Sequence, residues 1–137
     1  GGLMEAVEYF KEGYSCSESI IMYCIDKGIC DESLLPIATA FSGGLGNGCL
    51  CGAVSGSVMI IGYLFGKNNK FGNEVIARPL TKEFINKFKQ SHKVTCCRAL
   101  SQGFDFHSPE RKAHCCNFVD ACSKLLDEII SANIKNG

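Results

Sequence analysis

Ten cysteines stand in a chain of 137 residues: Cys16, Cys24, Cys30, Cys49, Cys51, Cys96, Cys97, Cys115, Cys116 and Cys122. A short chain so rich in thiol is either stapled by disulfides or folds without them and keeps its sulfur for chemistry. The apolar content separates the two cases. Hydrophobic residues make up 46% and charged residues 20%, which suits an ordinary core in one domain. No secretory signal is legible, because Met4 is followed at once by Glu5, Glu8 and Lys11. The expectation is therefore a reducing, cytoplasmic setting. There, abundant thiols bind metal, carry out redox chemistry or pack as small hydrophobes.

Charge and hydropathy exclude two classes of partner. The 14 basic and 14 acidic residues cancel, and no run of Lys or Arg offers to neutralise a line of phosphates, so no nucleic acid is expected. The longest apolar stretch, Ala53 to Phe65, covers 13 residues and holds Gly56 and Gly62. That is too short to cross a bilayer, and no membrane is expected.

Local signals predict an all-α chain: one domain over residues 1–137, folded as a single compact bundle of about five to seven helices. A first helix runs from Glu5 to Glu12 and ends at Gly13. Ser15 stands three residues before Glu18, the capping-box spacing, ahead of the apolar run Ile20 to Ile25. A short helix covers Leu34 to Phe41. Ser42-Gly-Gly-Leu-Gly-Asn-Gly48 is a loop with glycine at four of seven positions. A small-residue helix follows from Cys51 to Phe65, then a polar turn over Lys67 to Asn73. Leu80, Phe84 and Phe88 form one stripe of the next helix. Thr95 is placed to cap a short helix through Cys96 and Cys97. Ser108-Pro109-Glu110 opens a last helix running to about Asn133.

Three cysteines share one local context. Cys16, Cys51 and Cys97 each fall at the start of a helix, where free N–H groups and the macrodipole favour an anion. Their thiols are expected to ionise more easily than a free cysteine. On the last helix, at roughly 100° per residue, Cys115 falls about 20° from Cys122 and points inward, whereas Cys116 lies at the edge of the stripe. Were the three helix starts to converge on Cys115, four sulfurs would share a pocket. Cys24 and Cys122 read as core packing. His92, His107 and His114 lie in polar stretches and read as solvated.

The segment Phe41-Ser-Gly-Gly-Leu-Gly-Asn-Gly-Cys-Leu-Cys-Gly-Ala-Val-Ser-Gly56 adds more. Together with Gly13-Tyr-Ser-Cys16, Cys97-Arg-Ala-Leu100 and Cys115-Cys-Asn-Phe-Val119, it resembles the C_GCAxxG_C_C family, whose members are described as redox-active. The resemblance covers nearly the whole chain, and Cys51-Gly52-Ala53-Val54-Ser55-Gly56 matches the central motif without gaps. It implies that the functional cysteines are Cys16, Cys51, Cys97 and Cys115, with Cys96 and Cys116 as alternates within the two doublets. Gly43, Gly44, Gly46 and Gly52 would let the backbone pass close to the site and any bound group.

Three functions follow as expectations. One is thiol–disulfide or electron-transfer chemistry, with Cys51 attacking and a second cysteine resolving. Another is an iron–sulfur cluster or zinc held by the same four cysteines. The third is a helical interaction module in which the cysteines are incidental. The sequence names no redox partner. The small-residue face from Gly52 to Gly62 suits a homo-oligomer as well as the chain's own core.

Overall fold

Two capping serines fix where the site-bearing helices begin. The Ser15 hydroxyl accepts from the Glu18 N–H at 3.2 Å, and the Glu18 carboxylate accepts from the Ser15 N–H at 2.9 Å. The next residue, Cys16, is therefore the first of its helix. The Ser108 hydroxyl accepts from the Arg111 N–H at 3.1 Å, with Pro109 behind it. These caps satisfy donors that a helix end leaves open.

The computed structural model describes residues 4–67 and 76–134. Beyond Lys67, the polar turn expected up to Asn73 lies outside them. The helices are α1 (Ala6–Glu12), α2 (Cys16–Asp26), α3 (Leu34–Thr39), α4 (Gly52–Phe65), α5 (Ala77–His92), α6 (Cys97–Leu100) and α7 (Pro109–Asn133). Among the described residues there is no sheet, only one antiparallel bridge between Leu50 and Cys96. No described helix is long and apolar enough to cross a membrane.

The core forms where α2, α4 and α7 meet, with α1 laid on α2 and α7, and α5 on α4 and α7. Ile20, Ile21, Val54, Ile60, Ile61, Phe84, Val119 and Leu126 are wholly enclosed. Cys24 and Cys122 lie fully buried among them. At the rim, the Tyr23 hydroxyl donates to Asp127 at 2.5 Å and ties α2 to α7. Helix α2 comes close against α4. A Cβ at Gly56 would lie 2.9 Å from the Ser17 carbonyl oxygen and 3.2 Å from the Ile20 Cβ. At Gly62, on the same helix, it would meet nothing within 4 Å. The two glycines should therefore answer oppositely to substitution. Gly56→Val is expected to lower stability by about 1–3 kcal/mol through overpacking. Gly62→Ala should raise it by up to about 1 kcal/mol through helix propensity. Denaturant midpoints read both, and equal responses would mean that α2 and α4 are not in close contact.

Two local expectations need correction. Thr95 does not cap α6; Cys96 occupies that position, and the Thr95 carbonyl accepts from the Cys51 N–H at 2.8 Å. Helix α3 ends at Thr39, because Ala40 and Phe41 donate to carbonyls only three residues back.

Candidate functional site

The glycine loop supplies a backbone course that few sequences tolerate. Gly43, Gly44, Leu45 and Gly46 take consecutive left-handed conformations with φ of 65°, 66°, 62° and 68°, and Gly48 follows at 69°. The Cys49 N–H closes this turn onto the Gly44 carbonyl at 2.8 Å. The chain then runs briefly alongside the segment before α6. Cys51 donates its N–H to Thr95, and Cys97 donates its N–H to Cys49. That antiparallel rung joins the start of α4 to the start of α6. From the other side, α2 arrives so close that a Cβ at Gly52 would lie 3.1 Å from the Cys16 Cβ. Helix α7 closes the arrangement.

The result is a cavity of ≈ 710 Å³. Cys16, Cys51, Cys97 and Cys115 all line it, together with Gly43, Gly44, Gly46 and Gly52. Cys51 and Cys115 are buried; Cys16 and Cys97 are half-buried. The second members of the doublets do not reach it. The exposed Cys96 directs its thiol to the Gly48 carbonyl at 3.2 Å, and Cys116 lies half-buried on the flank of α7. All ten cysteines are unpaired.

A family model described as "Putative redox-active protein (C_GCAxxG_C_C)" matches residues 14–129. The chain belongs to this family. Searches of curated proteins and of solved structures gave no match. The C_GCAxxG_C_C span begins one residue before the Ser15 cap and ends near the close of α7, so it contains all four cavity cysteines.

Electrostatics overturn the expectation that helix starts make the Cys16 and Cys51 thiols acidic. Burial pushes the Cys51 thiol up to about 11, although the Ala53 and Val54 N–H groups at the start of α4 pull the other way. Burial also raises Cys16 well above its ordinary value, reinforced by repulsion from Cys51, Cys115 and Cys97, with Arg111 opposing. Cys115 is raised by burial too, against Arg111 and Lys112. Desolvation disfavours the charged form, and here it outweighs a helix end. Behind the cavity wall, Cys122 is near enough to Cys51 and Cys16 for their charges to add to its own burial.

Sequence reading missed the cations. Arg111 donates to the Cys97 sulfur at 3.3 Å and to the Phe106 carbonyl at 3.2 Å, with its guanidinium 4.3 Å from the Phe106 ring centre. Its Nε is enclosed and has no hydrogen-bond partner. Lys112 lies over the Phe10 ring at 3.8 Å and also lines the cavity. A signal was present, since Arg111 precedes Cys115 by four residues and so shares its helix face.

Two of the three histidines also differ from expectation. His92 is half-buried between Phe88 and Phe118. His114 stacks on Phe104 and meets the Leu100 carbonyl at 2.8 Å through Nε2. Only His107 is exposed, and it lines the cavity.

Among the described residues, no three His, Cys, Asp or Glu side chains are placed to hold one metal ion. A zinc site needs its sulfurs about 2.3 Å from a single point. The four thiols line a cavity together.

Proposed function

We propose that this member of the C_GCAxxG_C_C family is an electron-transfer protein in which Cys16, Cys51, Cys97 and Cys115 hold an iron–sulfur cluster. One observation carries the reading: thiols from four separate elements line a single cavity, where burial raises Cys16, Cys51 and Cys115 above their ordinary value. Four thiolates cannot share such a space without positive charge among them. Iron supplies that charge and the redox chemistry, and Cys₄ ligation is the usual form for these clusters. Arg111 and Lys112 then offset the net negative charge that thiolates and sulfides bring. The glycines at 43, 44, 46 and 52 keep side chains out of the space.

The test is anaerobic reconstitution with ferrous iron and sulfide, followed by metal and acid-labile sulfide analysis and a visible spectrum. Wild type should retain both elements and be coloured. Serine at any one of the four positions should remove most of the bound iron, whereas Cys30→Ser, outside the cavity, should keep it. A colourless, iron-free wild type under strict anoxia sinks the reading.

A second reading rests on the Arg111 contact at Cys97. The guanidinium at 3.3 Å holds the Cys97 sulfur in place, so Cys97, and not Cys51, would displace a thiolate from a substrate disulfide. A neighbouring cavity cysteine would then release the second thiol and form an internal disulfide. Counting free thiols before and after exposure to a small disulfide distinguishes this from cluster chemistry.

A further inference from the structure

A second cavity, of ≈ 480 Å³, shares with the first a wall made of Gly43, Gly46, Cys97, Phe106 and Arg111. Arg98, Asn47 and Gln102 belong to this second space alone. Its size falls in the range of small-molecule sites. Its charge is one-sided. The chain has 14 acidic residues, yet no aspartate or glutamate lines either cavity. Two guanidinium groups line the second one.

Both arginines are anchored by acceptors other than carboxylates. Arg98 donates through Nη2 to the Asn47 carbonyl at 3.2 Å and packs along Gly48. Arg111 reaches a carbonyl and a sulfur, and its Nε has no partner. Among the described residues neither makes an ion pair. Two arginines held in place without a carboxylate partner around one small cavity are suited to an oxyanion, which guanidinium groups bind by charge-assisted, geometrically fixed hydrogen bonds. Phe104 and Phe106 offer apolar wall for the carbon skeleton behind it.

We propose that this cavity binds a small organic anion whose carboxylate or phosphoryl group is held by Arg98 and Arg111 beside the Cys97 sulfur. As a substrate or effector site it rests on the redox reading above; as a binding site it needs only the two guanidinium groups, so the two fail separately.

Calorimetric titration of the reduced protein with inorganic phosphate, and separately with succinate, tests it. At least one anion should bind, and the tighter of the two tells a phosphoryl from a carboxylate ligand. Arg98→Glu, at an exposed position that leaves the fold intact by circular dichroism, should weaken binding at least about tenfold, the loss of one charge-assisted contact. Arg98→Lys should recover part of it. A chemical readout runs beside the titration. The ratio of Cys97 alkylation by iodoacetate to that by iodoacetamide should fall by about tenfold in Arg98→Glu, with the ratio at Cys30 unchanged. Where Cys97 resists both reagents, the titration alone decides. No binding of either anion, or equal binding by wild type and Arg98→Glu, overturns the proposal.

Discussion

Gly44→Ala is expected to cost about 2–5 kcal/mol and to empty the cavity of any bound group. Two independent penalties add. At φ +66° an alanine pays about 1–2 kcal/mol for left-handed backbone. The new Cβ would also lie 2.6 Å from the Cys49 nitrogen and 2.7 Å from the Cys97 Cβ. Neither obstacle can swing away as a side-chain tip would, so the loop must move off the rung that carries Cys51 and Cys97, at a further cost of about 1–3 kcal/mol. Against a typical total of about 5–15 kcal/mol the loss is severe. Gly46→Ala is the control: its φ is +68°, but a Cβ there meets nothing within 4 Å, so it pays only the first penalty. Denaturant midpoints of the two variants, with iron content after reconstitution, make the comparison. Equal losses in both would show that close packing at Gly44 does not hold the site together.

That loop also marks where sequence reading stops. The helices were legible because their signals are local: a serine three residues before Glu18, a proline after Ser108, a stripe through Leu80, Phe84 and Phe88. Four glycines announce unusual backbone, but not that Leu45 at φ 62° continues the left-handed run of Gly43, Gly44 and Gly46. The Leu50–Cys96 bridge pairs segments 46 residues apart and has no strand pattern to declare it. It is this bridge that sets Cys51 and Cys97 on one cavity. Burial was the other blind spot. A cysteine at a helix start reads as acidic from its neighbours in sequence, and only packing shows that Cys16 and Cys51 are withdrawn from water. The half-burial of His92 has the same origin, since Phe118 comes from a distant helix.

The same burial makes the unloaded, reduced protein sensitive to alkali, and it should unfold between about pH 9 and 11. Cys16, Cys24, Cys51, Cys115 and Cys122 are all held above their ordinary value in the folded chain. Below pH 9 they are protonated in both folded and unfolded states and contribute no pH dependence. Above it, the unfolded chain releases protons that the folded chain keeps, so stability falls as pH rises. For Cys51 the rise from 9.0 to about 11 corresponds to about 3 kcal/mol, fully lost once the pH passes 11. Cys24 and Cys122, sealed in the core, push in the same direction. Far-ultraviolet circular dichroism against pH under anoxia, with thiolate absorbance followed in parallel, measures it. Thiolates forming near pH 9 while the helices persist would contradict the burial argument. Loading the centre sharpens the test, because cysteines bound to iron have no proton left to lose. With iron and sulfide bound, the alkaline transition should move to higher pH. A transition that stays in place on loading would mean that the four cavity cysteines are not the ligands.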